Sequence, residues 1–165
     1  MDIKGLHHNA YRCRDSEETR RFYEDFLGLP LVGALEIGET KTGRETAALH
    51  TFFQMDDGSC LAFFEVPGVP FDFREQHDFD LHIALEVAPD VLKERLEAGR
   101  RAGHKVRGPA NHGFVDSIYF RDPNGYVIEL TAKRENHDAA FVPSDARAIL
   151  DRWQNGKPSP ENATG

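Results

Sequence analysis

Four residues of this 165-residue chain have the types and placement to share a divalent metal ion: His8, Glu65, His82 and Glu129. One His and one Glu fall in each of two similarly patterned halves, the His in the opening strand-like segment and the Glu in the closing one, FFEV and VIEL. A carboxylate inside an apolar strand costs free energy unless it is paired or bound to a cation. Two imidazoles and two carboxylates suit a borderline ion such as Ni, Zn, Fe, Mn or Co, with positions left over for water or substrate. Taken singly, each would be an ordinary solvated or ion-paired strand residue. The repetition at matched positions is what argues for a shared site.

The elements that must position these residues form an internal repeat. A strand over about residues 3–13 leads into SEETRRFYEDFL, whose Phe22, Tyr23, Phe26 and Leu27 make a helical stripe. Asp15 and Glu18 resemble a capping box, and Gly28 stands where helices end. Strands follow near 30–37, 47–56 and 59–66, the last two joined by the hairpin signal Asp57-Gly58. After the Pro- and Gly-containing connector VPGVPFDFREQHD, the order repeats: strand DLHIALEV, helix PDVLKERLEAGRRAG, and strands near 105–108, 113–121 and 126–131. Aligning His8 with His82 places Gly28 one residue from Gly103. Each half therefore reads β-α-β-β-β.

Strand parity assigns faces. His82, Ala84 and Glu86 lie opposite the aliphatic Leu81, Ile83, Leu85 and Val87, which should pack on helices. Glu129 groups with Val127 and Thr131, and Glu65 with Phe63 and Leu61; both carboxylates are expected away from the helix-packed face. Residues 1–132 are predicted to form one domain of two modules, about 3–67 and 79–132. A helical extension over 133–155, carrying Trp153, and a tail over 156–165 without a core complete the chain.

Composition narrows the partners. Twenty Lys and Arg against 28 Asp and Glu give a net charge of −8, which disfavours nucleic acid and anionic membranes. No apolar run approaches the ~20 residues of a membrane span. The opening MDIKGLHH has no basic stretch followed by an apolar core, and the two cysteines, Cys13 and Cys60, lack CxxC spacing; a cytoplasmic location and free thiols are expected. Phenylalanines Phe52, Phe53, Phe63, Phe64, Phe71, Phe73 and Phe114 cluster in or near the later strands, where those of cavity parity would line an apolar pocket for a small-molecule substrate.

GLHHNAYRCRD…FYEDFLGL, FFEV, DLHIALEV and FRDPNGYVIEL together resemble the vicinal oxygen chelate superfamily: glyoxalase I, extradiol ring-cleaving dioxygenases, fosfomycin-modifying thiol transferases, methylmalonyl-CoA epimerases and bleomycin-binding proteins. The resemblance covers residues 3 to 132. It implies an α+β fold in which two βαβββ modules form a half-barrel around one metal, and a homodimer whose sites can combine modules of different chains. It also chooses between His7 and His8, because the Asp and Tyr that follow the family's ligand by seven and fifteen residues match Asp15 and Tyr23 only when the ligand is His8.

The glyoxalase-like members bind metal through two His and two Glu, matching His8, Glu65, His82 and Glu129. There one Glu can leave the ion and move a proton, so Glu65 and Glu129 are catalytic candidates in a lyase or isomerase passing through a metal-stabilised enediolate. A thiol co-substrate is compatible with that group. A different member class is also suggested: from His112 through Tyr119, Asp122-Pro123 and Gly125 to Glu129 the spacing resembles the signature of Fe(II) extradiol dioxygenases acting on catechols, with Ala110 as a departure. In that signature His112 and Tyr119 stand beside the substrate. His50 is a further candidate if its strand turns it inward, and Arg44 a candidate contact for an anionic substrate. A metal-free binding protein of the bleomycin-resistance kind is the third possibility, against which the retained ligand types count.

Overall fold

The computed structural model describes residues 3–39, 43 and 45–157. Arg44 and the last eight residues of the expected tail lie outside the described residues. The first module runs β1 (Tyr11–Cys13), α1 (Ser16–Arg20) continued by a wider π-type turn over Arg21–Phe26, β2 (Leu31–Glu39), β3 (Glu45–Gln54) and β4 (Cys60–Glu65). The second runs β5 (His82–Glu86), α2 (Pro89–Arg101), β6 (Val106–Asn111), β7 (Val115–Arg121) and β8 (Val127–Lys133), and α3 (Pro143–Gly156) follows. Each module is a mixed four-stranded sheet, ordered β1-β4-β3-β2 and β5-β8-β7-β6, and neither closes into a barrel.

Local chemistry accounts for the boundaries. The Asp15 side chain accepts the Glu18 amide at 2.7 Å and starts α1; Gly28 adopts a φ of +86° just after it. Pro89 opens α2, where a missing N–H costs nothing. The paired part of β1 is shorter than the predicted strand, but Cys60 N donates to the His7 carbonyl and Asn9 N to that of Cys60, so the chain runs beside β4 from residue 7 onward.

The helix-facing sides of the two sheets share one core. Tyr23, Phe53, Leu61 and Phe63 of the first module join Ile118, Phe120, Ile128 and Leu130 of the second, all nearly or fully buried. Each such side chain contributes about 1.5–3 kcal/mol through burial. Gly99 lets α2 press close, since a Cβ there would sit 2.5 Å from the Phe120 ring.

A polar joint ties the modules together at the Asp122–Gly125 turn. Buried Asp122 accepts from the Tyr23 hydroxyl at 2.9 Å, from the amides of Asn124 and Tyr126, and from Asn124 Nδ2. The Asn124 side chain in turn accepts the Arg14 amide at 2.8 Å and donates to Thr19, while Tyr126 donates to the Arg12 carbonyl. Tyr23→Phe deletes one donor and is expected to cost about 1–2 kcal/mol; Asp122→Ala orphans four and is expected to cost about 3 kcal/mol or more, both read from urea unfolding midpoints.

Candidate active site

In the second module the free face, opposite the core, carries the candidate site residues. β8 pairs with β5 and β7 so that Ala84, Glu129 and Tyr119 lie side by side, and Tyr119 pairs onward with Arg107. His82 occupies the next level, beside Val127. Its Nε2 lies 3.4 Å from Glu129 Oε2. Two donors each about 2.1 Å from one ion stand roughly 3.0–3.4 Å apart, so this pair has the spacing of two ligands. His82 Nδ1 is 2.7 Å from the Asp78 carbonyl, which can only accept; Nδ1 therefore carries a proton, and Nε2 is the ring nitrogen turned toward Glu129.

Tyr119 extends this pair into a chain. Its hydroxyl donates to Glu129 Oε1 at 3.2 Å and lies 2.7 Å from His112 Nε2. Burial, reinforced by the Glu129 charge, pushes the Tyr119 phenol above its ordinary value of 10.0, so it holds its proton at neutral pH. His112, Tyr119, Glu129 and His82 thus form one connected set.

The first module is different. His8 bridges to Cys60 in parallel, as His82 pairs with Val127. Two residues further along β8 is Glu129; two residues further along β4 is Ala62. The position matching Glu129 is therefore a buried alanine, and the position matching Tyr119 is Phe52, the β3 partner of Ala62. His8 sits against Phe52 and His50, with ring centroids 5.4 and 5.8 Å away, and its Nδ1 is 2.7 Å from that of His7. His50 does turn onto this face, stacked on Phe64 at 3.7 Å, with Nδ1 3.0 Å from the Phe63 carbonyl.

Glu65 corrects the parity expectation. It pairs with the buried Cys13 and shares the helix-packed face with Phe63 and Leu61, so it does not accompany His8. Its carboxylate is satisfied there by the Ser16 amide at 2.7 Å, at the start of α1. The grouping of Glu65 with Phe63 and Leu61 holds; the face assigned to that group does not. Counting the parallel register onward from His8 would have reached Ala62 instead.

The structure thus brings His82, Glu129, Tyr119 and His112 together, and separately His8 with His7 and His50. Among the described residues no three metal-ligating side chains converge within the chain. Asp78, which orients His82 through its main chain, leaves no side-chain signal in the sequence. Glu65→Gln keeps an acceptor for the Ser16 amide but loses its charge; it is expected to lower stability by about 0.5–1 kcal/mol in thermal unfolding while leaving metal affinity unchanged within about twofold.

A family model described as Glyoxalase/Bleomycin resistance protein/Dioxygenase superfamily matches residues 5–130. Lactoylglutathione lyase of Neisseria meningitidis serogroup B is 30% identical over 139 residues, covering 81% of this chain and 94% of that protein. The Haemophilus influenzae protein of the same name is 33% identical over 129 residues, covering 74% and 88%. Among solved structures, a glyoxalase/dioxygenase from Nostoc punctiforme superposes with a TM-score of 0.62 at 24% identity, covering 81% of this chain and 94% of that one. A mutant fosfomycin resistance protein, FosX, from Listeria monocytogenes, complexed with Mn(II) and 1S,2S-dihydroxypropylphosphonic acid, superposes at 0.62 with 20% identity, covering 83% and 98%. These structural likenesses carry the fold.

Proposed function

The chain belongs to the Glyoxalase/Bleomycin resistance protein/Dioxygenase superfamily, and from that premise we propose a divalent-metal enzyme that binds its substrate through neighbouring oxygens and acts as a glyoxalase-like lyase or isomerase. The observation that carries this reading is the His82–Glu129 pair joined to Tyr119 and His112 on one sheet face. The named relatives, lactoylglutathione lyases at 30–33% identity, support the lyase class. The ligands are His8, His82 and Glu129; Glu65 is a helix cap, and Ala62 replaces the fourth carboxylate.

The ion, when bound, supplies Lewis-acid polarisation of a substrate carbonyl. The chain's own groups handle the proton. Tyr119, protonated and hydrogen-bonded to both Glu129 and His112, is placed to pass a proton between substrate and His112, the role a first-module carboxylate would otherwise fill. Phe52, Phe64 and Ala62 offer the substrate an apolar wall beside His8.

A second copy of the chain completes this site: His8 of one copy meets His82 and Glu129 of the other, making a homodimer with two sites. That His8 and the His82–Glu129 pair do not converge in one chain, no three metal-ligating side chains meeting among the described residues, supports that arrangement. Among the described residues no helix is long and apolar enough to cross a membrane, and both cysteines are free and buried, which fits a cytoplasmic setting. A second reading, an Fe(II) ring-cleaving dioxygenase, is favoured by a donor set of two His and one carboxylate and by the His112–Tyr119 contact.

Metal titration and assay separate these readings. The lyase is expected to act without oxygen on a thiohemiacetal or related carbonyl compound with Ni or Mn; oxygen uptake with a catechol under Fe(II) would establish the dioxygenase instead. A protein without metal affinity would overturn both. His82→Ala and Glu129→Gln are expected to weaken metal binding at least about 100-fold. Mixing His8→Ala with Glu129→Gln protein is expected to restore one intact site per mixed dimer, whereas a site within one chain would show no recovery.

A further inference from the structure

Beside the candidate site lies a cleft of about 420 Å³ whose polar lining is Glu75, Asp78, Lys105, Arg107, Tyr119 and Arg121. Two of its cations have partners away from the site: Lys105 forms an exposed pair with Glu75 at 2.9 Å, and Arg121 donates to the carbonyls of Gln76 and Gly125, strapping the connector to the sheet. Arg107 is the cation nearest Tyr119. Its side chain is 63% exposed, its guanidinium lies over the Tyr119 ring at 4.3 Å, and it pairs with the Asp78 carboxylate. Arg121 approaches the same carboxylate only at 3.9 Å.

Placement makes this pair more than a surface ion pair. Arg107, Tyr119 and Glu129 are register partners on one row of the free face, so the guanidinium stands one strand beyond the phenol that touches Glu129. The register shift after Arg107, where Gly108 takes a φ of +113° with no room for a Cβ between it and the Ser117 carbonyl, lets the edge strand break step right after this residue. A guanidinium stacked on an aromatic ring presents its fork edgewise, the geometry that takes a planar carboxylate with two hydrogen bonds. Asp78 is a carboxylate already seated there, and because the Arg107 side chain is open to solvent an incoming anion can reach the guanidinium and compete with it.

We infer that Arg107 is the anion-recognising residue of this site and that the substrate carries a carboxylate, which takes the position held by Asp78 while its neighbouring oxygens face Glu129 and His82. The inference rests on the metal-enzyme reading above and assigns its substrate class. Asp78 then has two parts: its main chain orients His82, and its carboxylate holds the subsite until an anion arrives. The matching row of the first module, Gly33, Phe52 and Ala62, has no charged residue, so the anion binds on the second-module side alone.

The test uses the full-length protein without added metal and benzoate as probe, followed by amide NMR shifts of residues 105–107 and 119–121, with chloride at equal ionic strength as control. Saturable benzoate binding is expected. Asp78→Asn, which keeps the carbonyl bonded to His82, is expected to bind benzoate at least about threefold more tightly because the internal competitor is gone. Arg107→Gln is expected to bind at least about tenfold more weakly, and Arg107→Lys, the more conservative change, also more weakly than the parent because it lacks the fork. No saturable binding to the parent and Asp78→Asn proteins, or equal binding to the parent and both Arg107 variants, would overturn the inference. Inorganic phosphate binding more tightly than benzoate would overturn the carboxylate assignment. A parallel Mn titration, expected to be unaltered by the Arg107 changes, keeps the two readings apart: loss of metal binding in the parent protein sinks the enzyme proposal, and loss of benzoate binding alone sinks this one.

Discussion

The buried carboxylate of Asp122 is the joint on which the rest of the molecule depends. Removing a charged group from water is costly, and burial accordingly pushes this carboxyl above its ordinary value of 3.8. Four donors, among them Tyr23 of the other module, offset the cost. Because the folded chain holds that proton more tightly than the unfolded chain, the contribution of this group favours folding most at low pH and declines as pH rises through its raised value. What the bonds secure is geometry. The turn that carries Asp122 also carries Asn124 and Tyr126, and all three reach into β1 and α1. The helix-packed sides of the two sheets are thereby held in one shared core.

From that constraint the division of the site follows. Joined through their cores, the modules present two unlike surfaces. One is polar, with a row running from Arg107 through Tyr119 to Glu129; the other is apolar at the matching positions, Gly33, Phe52 and Ala62, with a histidine cluster at its edge. The modules share an architecture and have divided the chemistry. One carries the proposed donors and proton-handling groups, and the other carries a single candidate ligand and an aromatic wall.

Much of this was legible in the residues. The repeat, the Asp15 cap, Gly28, the Asp57-Gly58 hairpin and Pro89 each act locally, and each marks its element where the structure has it. Parity read the second module correctly because β5 alternates cleanly between aliphatic and polar residues. It misread β4 because CLAFFE is apolar on both faces, so nothing in its pattern says which side meets the helices. The only cue was the charge of Glu65, and a helix N-terminus satisfies a carboxylate as well as a cation does. Asp78 escaped for a different reason: its carbonyl orients His82, and a main-chain acceptor is common to every residue type.

The proposed division also determines what a dimer interface must contribute. Tyr119, His112, Glu129 and His82 all sit in one module, on β5, β7, β8 and the turn before β7, held by their own sheet and by the Asp78 carbonyl. Their mutual geometry does not rely on a second chain. Only the proposed bond between His8 and an ion would. An interface that shifts slightly would therefore weaken metal retention while leaving the proton-handling groups in register. In the proposed dimer, metal affinity would be linked to protomer concentration, because the complete proposed donor set would be present only there. The free energy of metal binding and the free energy of association are in that case shared across the same contact.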